Sequence, residues 1–163
     1  MSGMLAPVPA TYAGVEFRST LEADWAATLD SLGIVWQYEP EAVRLPSGTL
    51  YRPDFYLPRI ATWLEVKGPH RERIKKTIEF AKSVPDPVII GLASERGLIT
   101  WESLNFGPGG GELFKCRACD AWWWLDWSGP YGCRAHRRDQ WGEDDLGEAG
   151  DRLPFVRASG ASP

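Results

Sequence analysis

An aspartate and a Glu-x-Lys triplet lie in two successive strand-like segments. Glu65-Val66-Lys67 follows Asp54 by eleven residues. In an extended strand, residues two apart project from the same face, so Glu65 and Lys67 point together and Val66 points away. If the two segments are adjacent strands joined by a tight turn, Asp54 faces both. Two neighbouring carboxylates repel one another unless a cation neutralises them, and hard oxygen ligands suit Mg²⁺ or Mn²⁺.

The lysine beside these carboxylates has a different chemical use. Its ammonium group can orient or deprotonate an attacking water, or neutralise charge that develops on a phosphate. The pattern therefore predicts a site in which Asp54 and Glu65 bind a divalent cation and Lys67 assists hydrolysis. Glu39, in the preceding strand-like segment, is a reserve carboxylate, and its alternative is a surface residue before Pro40.

Basic residues lie close to this constellation in the sequence. Arg52 precedes Asp54 by two residues on the same predicted strand face, which favours a phosphate contact near the cation. Arg71, Lys75 and Lys82 share one stripe of a predicted helix. That stripe fits two interpretations equally, a row that follows a phosphate backbone or an ordinary solvated helix face.

Three cysteines and a histidine form two near-copies of a metal-binding knuckle. Cys116 and Cys119 are separated by two residues, as are Cys133 and His136, and thirteen residues lie between the two pairs. This spacing is typical of a tetrahedral Zn²⁺ site in a zinc ribbon, and an odd number of cysteines argues against a self-contained disulfide framework. With four protein ligands, the predicted zinc is structural. The alternative is a cluster of reduced thiols in a loose tail.

Tryptophans crowd the segment between the two knuckles: Trp122, Trp123, Trp124 and Trp127. A module of this size needs some of them as its own core. The others either pack against the rest of the protein or stack on unpaired bases, and both interpretations stay open.

The elements that would position these residues follow from apolar periodicity. The predicted order is αβββαβ, with helices at 19–32 and 70–83 and strands at 34–38, 51–57, 61–66 and 88–92; a further strand is expected at 98–101. Ser19 begins the first helix in a capping pattern with Glu22, and Gly33 ends it.

Pro53, Asp54, Glu65 and Lys67, in this order of elements, resemble the PD-(D/E)xK nuclease superfamily over about residues 17–92. The resemblance implies a restriction-endonuclease-like α/β core. It also implies that Asp54 and Glu65 hold Mg²⁺ or Mn²⁺, that the carbonyl of Val66 joins them, and that Lys67 assists water attack on a phosphodiester. The same stretch is similar to uncharacterised phage and actinobacterial proteins assigned to this superfamily.

A further catalytic residue is implied by archaeal Holliday-junction resolvases and their relatives, which use a glutamate from the first helix. Glu22 occupies a comparable place in this sequence. Its alternative role is structural, since a glutamate three residues after Ser19 can cap a backbone N–H. A carboxylate near the buried stripe of the helix would be costly without a partner, which favours the catalytic interpretation.

The 163 residues allow one modest core and a small appendage. We expect a flexible leader at 1–14, a nuclease core at 15–104, a glycine-rich linker at 105–111 and a zinc-ribbon module at 112–138. Residues 139–163 carry six acidic and two basic side chains, so this tail accounts for the whole net charge of −4 and is expected to be disordered. The remainder is neutral and can still carry a basic face.

These features together predict a metal-dependent DNA endonuclease. Branched or recombination intermediates are a preference drawn from the resolvase resemblance alone, a homodimer is expected by the same analogy, and RNA substrates stay open. Neither a membrane anchor nor a secretion signal is visible, so we expect a cytoplasmic protein, in the host cytoplasm if it is phage-encoded. Two alternatives are a non-catalytic DNA-binding or recombination-accessory protein and a zinc-ribbon adaptor that binds another protein.

Overall fold

The computed structural model describes residues 6–68, 74–93, 97, 99–104, 112–116, 118–125, 136, 148–149 and 153–158. Over these residues the protein is mixed α/β, with two helices and mostly strands. The helices are α1 (Thr20–Ser31) and α2 (Ile74–Ser83). The strands are β1 (Ala10–Tyr12), β2 (Val15–Phe17), β3 (Gln37–Tyr38), β4 (Val43–Arg44), β5 (Leu50–Tyr51), β6 (Phe55–Leu57), β7 (Thr62–Val66), β8 (Val88–Ala93), β9 (Ile99–Ser103), β10 (Glu112–Lys115), β11 (Trp122–Leu125) and β12 (Glu148–Ala149).

A five-stranded sheet of order β3-β6-β7-β8-β9 forms the centre of the fold. β7 and β8 are parallel and are connected through α2, while the other neighbouring pairs are antiparallel. A parallel pair needs such a crossover, because a tight turn cannot return the chain in the same direction. The middle strands are apolar on both faces, as expected for strands covered on both sides.

Helix α1 begins and ends where local sequence predicts. The Ser19 hydroxyl accepts the backbone N–H of Glu22 at 3.2 Å, which satisfies one of the donors that a helix start leaves without a partner. After the helix, Gly33 has φ +69°, a left-handed conformation that glycine adopts without steric cost. Trp25 and Leu29 form the fully buried stripe of α1.

The two faces of the sheet carry different cores. Leu64 and Val66 of β7 belong to the apolar cluster that contains Trp25 of α1, whereas Trp63 packs with Phe80 of α2. This alternation follows from the two-residue period of a strand. Odd-numbered residues of β7, including Glu65, therefore share the side of the sheet that α2 covers.

Gly91 sets how closely α1 approaches the sheet. A Cβ atom at this position would lie 2.8 Å from the Trp25 ring and 2.9 Å from the Leu64 side chain. The absence of a side chain at this point of β8 leaves room for the six-membered ring of the indole. Close packing of this kind cannot accept one extra carbon without movement of its neighbours.

Several predicted strands are shorter than the apolar pattern indicates. The expected strand at 51–57 is divided: its start belongs to β5, which pairs with β4 in a separate hairpin, and only β6 joins the central sheet. Pro53 lies at the break, where it has no N–H to donate to a ladder. Of the strand expected at 34–38, only β3 pairs. The first turn expected for the second helix, 70–73, lies outside the described residues.

The leader expected at 1–14 is partly structured, and that prediction was wrong for its second half. β1 and β2 form an antiparallel hairpin over residues 10–17. Tyr12 donates its hydroxyl to Asp30 at 2.9 Å and packs against the main core. The aromatic side chain therefore anchors a segment that composition alone marks as loose.

The acidic tail is also ordered where apolar residues recur, which corrects the disorder expected over all of 139–163. β12 pairs with β10, and Leu153 accepts the N–H of Ile99 at 2.9 Å. Residues 153–158 lie on α1, where Ala158 donates to the buried carboxylate of Asp24 at 2.7 Å. This segment supplies donors for a carboxylate that burial would otherwise leave unsatisfied.

The strands of the predicted zinc module pack directly on the central core. Leu113 of β10 is buried in the same cluster as Trp25, and the Trp122 indole donates to the carbonyl of Leu32 at 2.9 Å. The linker expected at 105–111 lies outside the described residues. Neither described helix is long and apolar enough to cross a membrane.

Candidate active site

Asp54 and Glu65 lie opposite one another where β6 and β7 meet. The antiparallel ladder of these strands ends with Phe55 opposite Leu64, and Asp54 and Glu65 are the next residues in register. The Asp54 backbone nitrogen lies 3.4 Å from Glu65 Oε2, and the Val66 N–H donates to Asp54 Oδ2 at 2.9 Å. Each carboxylate is 6% exposed. The predicted convergence of these two residues is present.

Lys67 joins the same group of charges. Its ammonium nitrogen lies 2.6 Å from Glu65 Oε1, and the two side chains are 16% and 7% exposed. The Lys67 backbone N–H donates to the carbonyl of Gly91 at 3.2 Å, so β8 fixes the main chain at this point. A charge-assisted bond of this length, shielded from water, holds the ammonium beside the carboxylate pair.

Tyr51 is a residue of this site that the sequence interpretation missed. Its hydroxyl donates to Glu65 Oε2 at 2.6 Å and lies 3.3 Å from the Thr77 hydroxyl of α2. Burial, together with the charge of Glu65 and the bond to it, raises the pKa of Tyr51, so the phenol stays a proton donor. The sequence signal for the role of Tyr51 is Pro53, because a proline at this position ends the strand that contains Tyr51 before Asp54 is reached.

The pKa of Asp54 is raised well above its ordinary value. Burial is the main cause, and the neighbouring charge of Glu65 is the next. The N–H of Val66 and the ammonium of Lys67 act in the opposite direction without cancelling the rise. Positive charge beside these two buried carboxylates would lower the free-energy cost of ionising both of them.

Glu22 lies close to this pair without joining it. Its carboxylate accepts the Tyr38 hydroxyl and the backbone N–H of Arg18, and its charge contributes to the raised pKa of Asp54. Burial and the bond to Glu22 raise the pKa of Tyr38 to about 12. The capping role is present, since the Glu22 N–H donates to Ser19 and its carboxylate accepts the N–H of Arg18, whereas the catalytic role of Glu22 stays a prediction.

Arg18 is the second residue that the sequence interpretation missed. Its guanidinium contacts Glu39 Oε1 through Nε at 2.6 Å and Asp54 Oδ1 through Nη2 at 3.1 Å. Glu39, the reserve carboxylate, also pairs with Arg52 at 3.3 Å. The sequence signal that could have identified Arg18 is its position directly before the Ser19 cap, which keeps it near Glu22, four residues later.

The donor set of Asp54 and Glu65 fits a hard divalent cation. Both residues offer carboxylate oxygens, and a cation would relieve the repulsion that raises the pKa of Asp54. Glu22 does not complete a tight triad with them: among the described residues, no three acidic side chains have oxygens all within 4.8 Å of one another. The Val66 N–H contacts Asp54. Metal ligation by the Val66 carbonyl stays a prediction.

The described part of the zinc module brings three of the four predicted ligands together. One ligand atom each from Cys116, Cys119 and His136 lies within 4.8 Å of the others, and Cys116 Sγ is 3.9 Å from His136 Nδ1. Such a group could hold a metal ion. Cys133, the fourth predicted ligand, lies outside the described residues.

The tryptophans of this module are packed. Trp123 is buried and stacks on Phe114, and Trp124 lies edge-on to Trp101 with ring centroids 6.4 Å apart. These contacts bear out the packing interpretation for Trp122, Trp123 and Trp124. Trp127 lies outside the described residues.

The predicted basic stripe is only partly described. Lys75 and Lys82 lie exposed on α2, and Arg71 lies outside the described residues. Arg52 is exposed beside Glu39, close to Asp54 in the chain. The structure therefore brings Arg52, rather than the lysines, into a network that reaches the carboxylates.

No protein-family model, curated protein or solved structure matches this chain.

Proposed function

We propose that this protein is a metal-dependent DNA endonuclease with a PD-(D/E)xK site. One observation carries the proposal: the ammonium of Lys67 lies 2.6 Å from Glu65, and Glu65 lies opposite the buried Asp54. Ionised carboxylates in water-excluded positions are costly unless they are paired or hydrogen-bonded, and such perturbed groups cluster at functional sites. A buried pair of carboxylates with an ammonium bonded to one of them matches the needs of phosphodiester hydrolysis.

The arrangement of elements supports the same proposal. In chain order, α1, β3, β6, β7, α2 and β8 reproduce αβββαβ, and the β4–β5 hairpin is an insertion between β3 and β6. The two helices pack with different faces of the sheet. A restriction-endonuclease-like core is therefore part of the proposal, with the acidic residues at the end of the β6–β7 pair.

The residues take distinct roles in this proposal. Asp54 and Glu65 hold Mg²⁺ or Mn²⁺, with the Val66 carbonyl as a third ligand, and the cation supplies Lewis-acid activation of phosphate and water. Lys67 orients the attacking water or stabilises charge on the phosphate oxygen. Tyr51 fixes the rotamer of Glu65 by its short hydrogen bond. Glu22 adds negative charge near Asp54 and holds Tyr38.

The two alternatives receive less support. An accessory DNA-binding protein has no need for a buried carboxylate pair and lysine. For a tryptophan-based adaptor, the described indoles of β11 would have to face a partner, yet they contact Leu32, Phe114 and Trp101. The packing of this module against the core favours a structural role for zinc.

A cleavage assay tests the proposal. The full chain is incubated with duplex, branched and single-stranded DNA in Mg²⁺, in Mn²⁺ and in EDTA, beside Asp54→Ala and Lys67→Ala. We expect cation-dependent cleavage of at least one substrate and a rate lower by about 10²–10⁴-fold in each variant, the range for loss of one group from a catalytic site.

Two exposed residues outside the site provide matched controls. Glu16→Gln removes an exposed carboxylate on β2, and Lys76→Ala removes an exposed ammonium on α2. Both should cleave at the wild-type rate. Binding of DNA without cleavage of any substrate would reject the nuclease and leave the accessory role, and equal cleavage by Asp54→Ala would reject this site.

A further inference from the structure

Two arginines from different parts of the chain converge on one carboxylate. Glu39 Oε1 lies 2.6 Å from Arg18 Nε, and Glu39 Oε2 lies 3.3 Å from Arg52 Nη1. The glutamate side chain is 16% exposed, whereas the arginine side chains are 57% and 53% exposed. The anion is thus recessed between two cations that reach solvent.

The two guanidinium groups of this cluster reach solvent beside an acidic site. They share Glu39, and Arg18 also contacts Asp54, so their two positive charges face two recessed carboxylates. Exposed ion pairs contribute little to stability, which leaves the arrangement without an obvious structural purpose. Each guanidinium has five N–H donors in a fixed fork, and the contacts with Glu39 and Asp54 use Nε and Nη2 of Arg18 and Nη1 of Arg52.

The arginines also line an open cavity of about 290 Å³. Its lining residues are Arg18, Glu39, Ala42, Leu50, Tyr51 and Arg52. Two of them contact the carboxylates of the candidate active site: Arg18 bonds to Asp54, and Tyr51 bonds to Glu65. The cavity therefore lies next to the buried carboxylate pair.

Backbone strain at Glu39 helps to hold this geometry. Its φ is +43°, in the left-handed region that residues with a Cβ rarely adopt. Its N–H donates to the carbonyl of Asp54 at 2.8 Å, which fixes the strained residue to the strand that carries the catalytic aspartate. Strain of this kind persists where the surroundings determine one conformation, and such residues cluster at active sites and ligand clamps.

We propose that this cavity is a phosphate subsite, in which Arg18 and Arg52 bind a backbone phosphate of DNA next to the one that is cleaved. Glu39 is a positioning residue that orients both guanidinium forks. The inference rests on the proposed function, since it places the bound strand across Asp54 and Glu65. It also assigns strand binding to this side of the site rather than to the lysine stripe of α2.

DNA binding without a divalent cation tests the subsite separately from cleavage. The affinity of the full chain for a short fluorescein-labelled DNA duplex is measured by anisotropy in EDTA, at salt concentrations from about 50 to 200 mM. Arg18→Met and Arg52→Met should each weaken binding about 3- to 10-fold. Each should also lower the slope of log Kd against log salt by about one, as loss of one phosphate contact predicts.

Arg44→Met is the matched control, because Arg44 is an exposed arginine on β4 whose guanidinium donates to the carbonyl of Gly48 at 3.0 Å and does not line the cavity. Its affinity and salt slope should stay at wild-type values. The Arg52 guanidinium contacts Glu39, whereas it is Arg18 that contacts Asp54, so Arg52→Met keeps the test valid if Arg18→Met disturbs folding.

Glu39→Gln separates positioning from simple charge. Removal of a negative charge by itself should tighten binding to a polyanion, whereas loss of orientation should weaken it by about threefold and leave the arginine contacts less specific. Tighter binding by Glu39→Gln would overturn the positioning role. Wild-type affinity and slope in both arginine variants would overturn the subsite.

The two proposals fail in different ways. If the wild-type protein cleaves DNA and the arginine variants bind normally, the nuclease stands and the subsite is wrong. If binding depends on Arg18 and Arg52 while no substrate is cleaved, the subsite stands as a DNA contact and the nuclease is wrong.

Discussion

The backbone N–H of Asp54 points at the carboxylate of Glu65 across the end of the β6–β7 pair, with 3.4 Å between the nitrogen and Oε2. Asp54 directly precedes β6 and Glu65 lies in β7, so the register of these two strands places the two side chains beside each other. Their repulsion is therefore built into the register of the sheet. Any cation that binds between them stabilises the folded protein by linkage.

Asp54→Asn should make stability less dependent on pH. Because the folded-state pKa of Asp54 is raised by burial and by Glu65, its contribution is complete below the ordinary Asp value of 3.8 and is lost as the pH rises through the raised pKa. In EDTA above that pKa, we expect the variant to be more stable than wild type by roughly 1–2 kcal/mol. Urea denaturation at a series of pH values measures this difference.

Mg²⁺ provides the matching test of the same repulsion. It should raise the urea midpoint of the wild-type protein and have a smaller effect on Asp54→Asn. If Asp54→Asn is less stable than wild type throughout the pH range, repulsion between Asp54 and Glu65 does not destabilise the folded protein.

Tyr51→Phe should lower the cleavage rate by more than its loss of folding stability explains. The hydroxyl is buried and bonded to Glu65 at 2.6 Å, so its loss should cost about 1–2 kcal/mol and lower the cleavage rate about tenfold. Tyr56→Phe is the control, since that hydroxyl bonds to Asp86 at 2.9 Å, away from the carboxylate pair. Thermal denaturation and single-turnover cleavage of both variants should separate the two effects, and an equal fall in rate would contradict the role of Tyr51.

Gly91→Ala should destabilise the protein by about 1–3 kcal/mol through overpacking against Trp25 and Leu64. Gly68→Ala is the steric control, because a Cβ there comes no closer than 4.0 Å to Leu21. Its stability should change by less than about 0.5 kcal/mol. The comparison is made by urea denaturation in one buffer, and similar midpoints for both variants would show that α1 moves aside at low cost.

Cys119→Ser should lower the zinc content of the protein. Cys119 supplies one of the three described ligand atoms, and a hydroxyl is a poor replacement for a thiolate. We expect about one zinc per wild-type chain and a strongly reduced content in the variant, measured by plasma mass spectrometry after dialysis. Asp120→Asn, at φ +57°, keeps a residue type that tolerates this conformation and should retain zinc. An equal zinc content in all three proteins would show that Cys119 is not a zinc ligand.

Local sequence determined the first helix and the facing carboxylates. Ser19 and Gly33 act on the backbone within a few residues, so their effect can be read from their position. Asp54 and Glu65 share a face because side chains alternate along any strand, and their spacing left room for one tight turn. The knuckle spacing likewise predicted the grouping of Cys116 and Cys119 with His136.

Tertiary structure decided which other groups reach these residues. Arg18 contacts Asp54 across 36 positions of the chain, and Ala158 contacts Asp24 across 134. Nothing in the local pattern of a leader or an acidic tail announces such contacts, because their energy depends on burial that exists only once the core has formed. The sequence thus specified the facing carboxylates and the lysine, while the fold supplied the tyrosine, the arginines and the strained glutamate around them.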